Sequence, residues 1–426
     1  MSKFQGILLG VCGFFIIVAV LTFAMYRGGG SIQANVVVWG DISGNDFNML
    51  LSDRAFGQDP NLTIQYVEKS AATLEEEFTE ALAQGVGPDL VILTQDKFWK
   101  NRSKLLPIPY TSVGEGDFKD IFIEEGELFL TQEGIYALPL LVDPLVLYYN
   151  RDHLTSAGYA KPISYWDELY SVAATLTKKD GAGNITQSAI PLGETRNIPH
   201  FKDILSLLML QAGTPITGYV NEELRSLIIY KFDMPVVPGE AALEFYTQFA
   251  NPTKPYFSWN RVMPDAQTRF TSGDASYYVG YASELRALRN KNPTLNFSVA
   301  PVPQSRVSGK VLTLGQLRGV AITRGTRNPA AALAVAMKLV SKEGAGVLAQ
   351  ITLIPPARRD LLASRPTDSV FSVFYQSALQ AKGWIDPDDE ASEKIFADMT
   401  ESITSGRART IEAVNKASRE LDSLTQ

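Results

Sequence analysis

Residues 136–169 read YALPLLVDPLVLYYNRDHLTSAGYAKPISYWDEL, and the part from Tyr136 to Asn150 decides the fold. It is an apolar, β-forming stretch broken around Asp143-Pro144, so two extended runs are expected there. Proline has no backbone N–H to give to a sheet. A carboxylate between apolar runs needs a partner or water, which makes Asp143 a candidate functional residue. Ser164 follows as N-cap of a helix expected over Trp166 to Leu176, where Trp166 is expected to be structural.

The same alternation continues on both sides. Asn35 to Trp39 (NVVVW) is a β-branched run ending at Gly40 and predicts a buried strand. Leu62 to Val67 and Pro88 to Leu93 predict two more, with a helix between them that starts at Thr73-x-x-Glu76 and stops at Gly85. Strand–helix–strand at this spacing implies a right-handed crossover and a parallel sheet. Apolar helices are expected at Ile204 to Gln211 and Ala241 to Phe249, short strands at Phe297 to Pro301 and Gly319 to Thr323. Asn328-Pro329 opens another helix, and Thr410 to Leu424 forms the last one.

With 426 residues the chain exceeds what one hydrophobic core holds, so two lobes or domains are expected. A hydrophobic share of 45% and a charged share of 20% exclude a largely disordered chain, and a net charge of −7 argues against nucleic acid as a partner. One cysteine, Cys12, closes no intrachain disulfide, and two histidines, His153 and His200, argue against a histidine-rich metal site. No phosphate-binding loop, dinucleotide fingerprint or nucleophile elbow occurs, and no cofactor is expected. The acidic run from Asp386 to Glu390 reads as a helix N-terminus rather than a metal loop.

Between Lys3 and Arg27 lie 23 uncharged residues. As a helix they would be roughly 34 Å long, against a hydrocarbon core of about 30 Å. We expect an uncleaved transmembrane anchor over 1–32, with Gly28-Gly29-Gly30 as a flexible tether and the rest of the chain on the extracytoplasmic side. Cleavage as a signal peptide is the second choice; Ala24-Met25-Tyr26 is a poor cleavage site, and Cys12 lies too early for a lipoprotein.

Aromatic and carboxylate residues fall at the carboxyl ends of the expected strands, the rim where open α/β sheets bind ligands. Trp39 and Asp41 close the first strand, Asp96 follows the third, and Trp259, Tyr281 and Arg318 lie in loops or at strand edges. Flat rings stack on the C–H faces of sugars while carboxylates, amides and guanidinium bind hydroxyls directionally. Taken singly, each also has a plain structural reading as a packing ring or a strand terminator.

The block from Tyr136 to Leu169 resembles the maltose-binding-protein-like solute-binding proteins of ABC importers: a Y-x-L-P run, an acidic residue, L-x-Y-N-[KR]-D, A-G and P-x-x-x-W-D-E-L. Phe270 to Gly280, Gly315 to Ile322 and the Ser405-Gly406-Arg407 approach to the last helix are similar to further elements of that family. Gln316 stands where members carry a second glycine, and the lipoprotein cysteine is missing. The resemblance implies a type II, two-lobed periplasmic-binding-protein-like α/β fold with a cleft between the lobes. It implies lobe one at 33–142 plus 301–350 and lobe two at 143–300 plus 351–426. It places Trp39, Gly40, Asp41, Asp96, Gln316 and Arg318 on the first rim, Asp143 near the hinge, and Trp259 with Tyr281 on the second lobe. The function implied is a monomeric receptor that binds a small solute, a sugar or oligosaccharide being favoured, and delivers it to ABC permease subunits without turnover. A membrane-bound sensor or adaptor, and a carboxylate-dependent glycoside hydrolase, are the alternatives.

Overall fold

The computed structural model describes residues 34–57, 62–306, 309 and 311–425. The anchor helix and its tether expected over residues 1–32 lie outside the described residues. Among the described residues no helix is long and apolar enough to cross a membrane.

Eight strands make one mixed sheet: β1 (Ala34–Gly40), β2 (Leu62–Glu68), β3 (Leu90–Thr94), β4 (Leu138–Asn150), β5 (Tyr277–Tyr281), β6 (Phe297–Pro301), β7 (Thr313–Ile322) and β8 (Ala381–Lys382). β1 pairs in parallel with both β2 and β3, as the strand–helix–strand spacing predicts. β3 then runs antiparallel to β7, and β7 antiparallel to β4. Side chains alternate along each of these strands. Leu90, Ile92, Leu138, Leu140, Val320 and Ile322 join one hydrophobic cluster, while Val91, Leu93, Ala137, Leu317 and Ala321 join another on the opposite face. These two clusters are the core of the first lobe.

β4 carries the chain into the second lobe. The break expected at Asp143-Pro144 is not there: Leu138 to Asn150 is one strand. What changes at that point is its partner. Residues up to Pro144 pair with β7, with Asp143 opposite Gln316, whereas Leu145 onward pairs with β5 and β6. Pro144 is tolerated because it sits where one ladder ends and the next begins. From Leu145 the buried side chains belong to a third cluster built around Tyr148, Leu205, Tyr246, Trp259 and Phe270. β7 makes the same passage in reverse, Leu312 and Leu314 packing with the second lobe and Leu317 with the first. The Thr313 hydroxyl donates to the Leu145 carbonyl at 2.8 Å, and β8 lies beside Thr313 and Leu314. Two lobes with separate cores thus meet at a seam crossed by neighbouring strands.

Candidate functional site

The first lobe's side of the seam is built at strand ends. Asp41 follows β1. A short helix, α1 (Gln95–Asn101), leaves the end of β3 with Asp96 in its first turn. Arg318 lies on β7 opposite Thr94 of β3. Its Nε lies 3.2 and 3.3 Å from the two Asp41 carboxylate oxygens and its Nη2 is 2.9 Å from Oδ2, a two-pronged grip. Asp143, buried at the crossing, accepts from the Ser283 backbone N–H of the second lobe at 3.0 Å. Gln316 is half-buried beside it on β7. Trp39 is half-buried under the Lys69 ammonium, 4.1 Å from its ring, and a side chain at Gly40 would crowd the Ile92 Cβ at 3.0 Å.

The second lobe answers with Tyr281 at the end of β5 and with helix α2 (Phe201–Ala212). Tyr281 lies within electrostatic reach of Asp203 and meets the His200 ring edge-on at 5.0 Å. His200 Nε2 lies 2.8 Å from Glu284 Oε1. Lys202 is buried and donates to Asp386 Oδ2 and Asp389 Oδ1, each at 2.6 Å. Its ammonium also lies 5.7 Å from the Trp384 ring.

Electrostatics tie the two sides together. Burial pushes the Asp96 carboxyl up, and Asp389 and Asp386 of the other lobe add to it; against the pull of Thr94 and Lys202 it reaches about 7. Burial also raises Asp143 and Asp203, although Arg318 opposes the first and His200 the second. For Arg318, burial works against the charge, but Asp41, Asp143 and Asp96 outweigh it and hold the guanidinium protonated. His200 behaves alike: burial disfavours its charge, the Glu284 contact prevails, and its pKa rises. Tyr281 is pushed far up by burial and by Asp203, Asp96 and Asp143 together. Asp96 Oδ1 and Arg318 Nη1 are buried without a hydrogen-bond partner among the described residues.

Of the sequence candidates, Asp41, Asp96, Asp143, Tyr281 and Arg318 therefore converge, with Gln316 adjacent and Trp39 and Gly40 behind them. Trp259 does not join them. It is 0% exposed, packs inside the second lobe's core and donates its indole N–H to Asn197 at 3.0 Å, so neither ring face is open to a ligand. Lys202 and Asp203 escaped the sequence reading, and Asp386 and Asp389 entered it only as part of a helix cap. Two charged residues at the head of the otherwise apolar helix FKDILSLLML were the available signal. The cap reading of the acidic run holds for Asp388, whose carboxylate accepts from the Ala391 N–H, while its neighbours Asp386 and Asp389 point to Lys202 instead. No three His, Cys, Asp or Glu side chains among the described residues are placed to hold a metal ion.

Two α/β lobes sharing strands, with polar groups of both turned into the seam, define a two-lobed binding protein. The chain belongs to the bacterial extracellular solute-binding proteins, whose family profile matches residues 42–346. Its fold is similar to that of a cyclo/maltodextrin-binding protein complexed with maltotetraose (TM-score 0.74, 16% identity, covering 92% of this chain and 97% of that one). The sugar-binding protein MalE from Xanthomonas citri matches comparably (0.74, 19%, 92% and 97%). So does the GacH receptor of Streptomyces glaucescens, solved unliganded and with acarbose (0.71, 17%, 92% and 98%). No curated protein matches the chain in sequence.

Proposed function

We propose that the protein is the receptor of an ABC import system, which takes a sugar or oligosaccharide into the seam by closing its lobes and hands it to membrane permease subunits, with no chemical turnover. One observation carries this reading: Asp41, Asp96 and Arg318 of the first lobe meet Asp143 at the crossing, and Ser283 and Tyr281 of the second lobe reach the same place. A ligand shifts open toward closed only by binding the closed form better, and groups divided between lobes supply that difference. Sugar hydroxyls both donate and accept, which suits the bare Asp96 Oδ1 and Arg318 Nη1. Proteins of similar fold solved with maltotetraose, mannotriose and maltotriose bound support a saccharide.

In this reading residues 1–32 hold a monomer at the membrane with its lobes on the extracytoplasmic face. The lobes divide at 142/143 and again within β7 after Leu314 rather than at 300/301, since Leu312 and Leu314 pack with the second lobe, and 350/351 is not a boundary, since Ala357 and Leu362 pack with the first. The test is a thermal-shift screen of the purified chain against mono- and oligosaccharides, polyamines and phosphodiesters, followed by small-angle scattering with each hit. A saccharide at a hundredfold excess over Kd stabilises the folded state by about 2.7 kcal/mol and contracts the particle. Binding of another class alone, or binding without contraction, overturns the reading.

A further inference from the structure

We propose that the protein carries its own clasp: Trp99 and Lys100 of the first lobe engage Tyr219 and Asp388 of the second and hold the lobes shut without solute. The clasp presupposes the closing receptor proposed above, whatever its solute. The Trp99 and Tyr219 rings meet edge-on with centroids 6.2 Å apart, and Lys100 Nζ lies 3.2 Å from Asp388 Oδ2. Neither contact belongs to a core. Cavities of about 310 and 400 Å³ flank the ring pair, each with both rings among its walls, and Tyr219 is 56% exposed.

Each half is fixed in its own lobe. α1 carries Trp99 and Lys100, and its Gln95 amide ties it to β7, donating to the Gly315 carbonyl at 3.2 Å and accepting from the Leu317 N–H at 2.6 Å. Tyr219 stands on a hairpin in which Thr217–Val220 pairs with Glu223–Ser226. Its turn residues Asn221 and Glu222 both have positive φ, 51° and 70°, as the mirror-image turns of tight hairpins require. Ile216 and Ile228, at either end of the hairpin, sit in the second lobe's core, and the Ser226 N–H donates to Asp422 Oδ1 of the last helix at 2.7 Å. Asp388 is the N-cap of the helix Asp389–Thr404.

The first lobe's half also has partners of its own. Lys100 Nζ is 3.2 Å from Glu75 Oε1, and the Arg102 guanidinium lies 3.5 Å from the Trp99 ring. Parting the lobes therefore strands neither the cation nor the ring, which makes the contact releasable. The clasp adjoins the solute site on both sides: Asp96 lies one turn before Trp99 on α1, and Asp388 precedes Asp389, which pairs with Lys202. Stability that the clasp lends to the closed form need not come from the solute, so it tightens binding of any solute that the seam accepts.

The experiment is single-molecule energy transfer on the full-length chain in detergent without solute. Dyes sit on cysteines placed at the exposed positions Glu80 and Arg419, one on each lobe, with Cys12 replaced by serine. The wild type should occupy mainly one state. Trp99→Ala and Tyr219→Ala should each raise the share of a second, open state by about threefold to tenfold. Asp388→Asn keeps the helix cap and should raise it by about twofold. Combining Trp99→Ala with Tyr219→Ala should open the lobes no further than the more open of the two single variants, since either ring alone makes no clasp. Tyr219→Ala, on an exposed hairpin, keeps the test valid should Trp99→Ala fail to fold. Two states whose ratio no variant changes, or a wild type that is mainly open, overturn the clasp and leave the closing receptor standing. One distance common to the wild type and every variant overturns both.

Discussion

Arg318 and Asp41 meet side-on across the first lobe's rim, the guanidinium's Nε and Nη2 both engaging the carboxylate, with the two side chains 14% and 13% exposed. The pair ties the loop after β1 to the strand that crosses the seam. Asp41→Ala should cost about 3 kcal/mol, because it leaves a buried guanidinium short of its main partner. Arg318→Lys keeps the charge but loses the fork, and should weaken ligand binding more than it lowers stability. Denaturant melts of both variants, alongside calorimetry with whichever ligand the screen yields, separate the two effects.

Asp96 makes stability depend on pH in a direction opposite to most carboxylates. Its folded pKa of about 7 stands above the value of 3.8 expected when unfolded. The stability it contributes is therefore full below pH 4 and is lost as pH rises through 7. The groups facing it are Asp389, Asp386 and Lys202 across the seam and Thr94 beside it. Asp96→Asn should remove this loss, so that the variant gains on the order of 2 kcal/mol over the wild type between pH 5 and pH 8. Urea melts at the two pH values measure it; a difference independent of pH would show that Asp96 is ordinary and solvated.

Trp259 belongs to the core rather than to the site. Trp259→Ala should cost about 3–5 kcal/mol through the cavity it opens. Trp259→Phe keeps an aromatic ring but strands the Asn197 carbonyl oxygen, at a cost of about 1–3 kcal/mol. In neither case should the folded fraction lose affinity. A large rise in Kd for Trp259→Phe at unchanged melting temperature would return this residue to the ligand.

The sheet was legible because apolar, largely β-branched runs such as Val36–Val38 and Val91–Leu93 have one place to go, and the helix between β2 and β3 fixed their parallel sense. Asp143 was legible for a related reason: a carboxylate amid apolar neighbours advertises a special environment. Pro144 misled, since a proline between extended runs looks the same whether the strand stops or merely changes partner. Trp259 misled because sequence shows the ring and not the Asn197 acceptor that lets it be buried. Lys202 and Asp386 were invisible as a pair, being separated by most of the second lobe and joined only by the packing of α2 against the start of helix α3 (Asp389–Thr404).

Another buried acid, Glu125, sits beside β7 at Gly315. Glu125 is 2% exposed, neither of its carboxylate oxygens has a hydrogen-bond partner among the described residues, and burial pushes it up to about 8 against the pull of Lys382. Two glycines make the notch that holds it: a Cβ at Gly315 would overlap Oε2, and one at Gly383 would lie 2.8 Å from Oε1. Gly315→Ala should therefore destabilise by about 2 kcal/mol. Combining it with Glu125→Ala should restore part of that loss, a coupling of about 1 kcal/mol, with the remainder due to Ala381 on the other side of the new methyl group. Glu125→Gln fills the same space without a titrating proton. The stability that Glu125 contributes is lost as pH rises from 4.5 through 8, and this variant should lack that loss, on the order of 3 kcal/mol. Additive losses in the Gly315–Glu125 double-mutant cycle would mean that the notch is looser than its geometry implies.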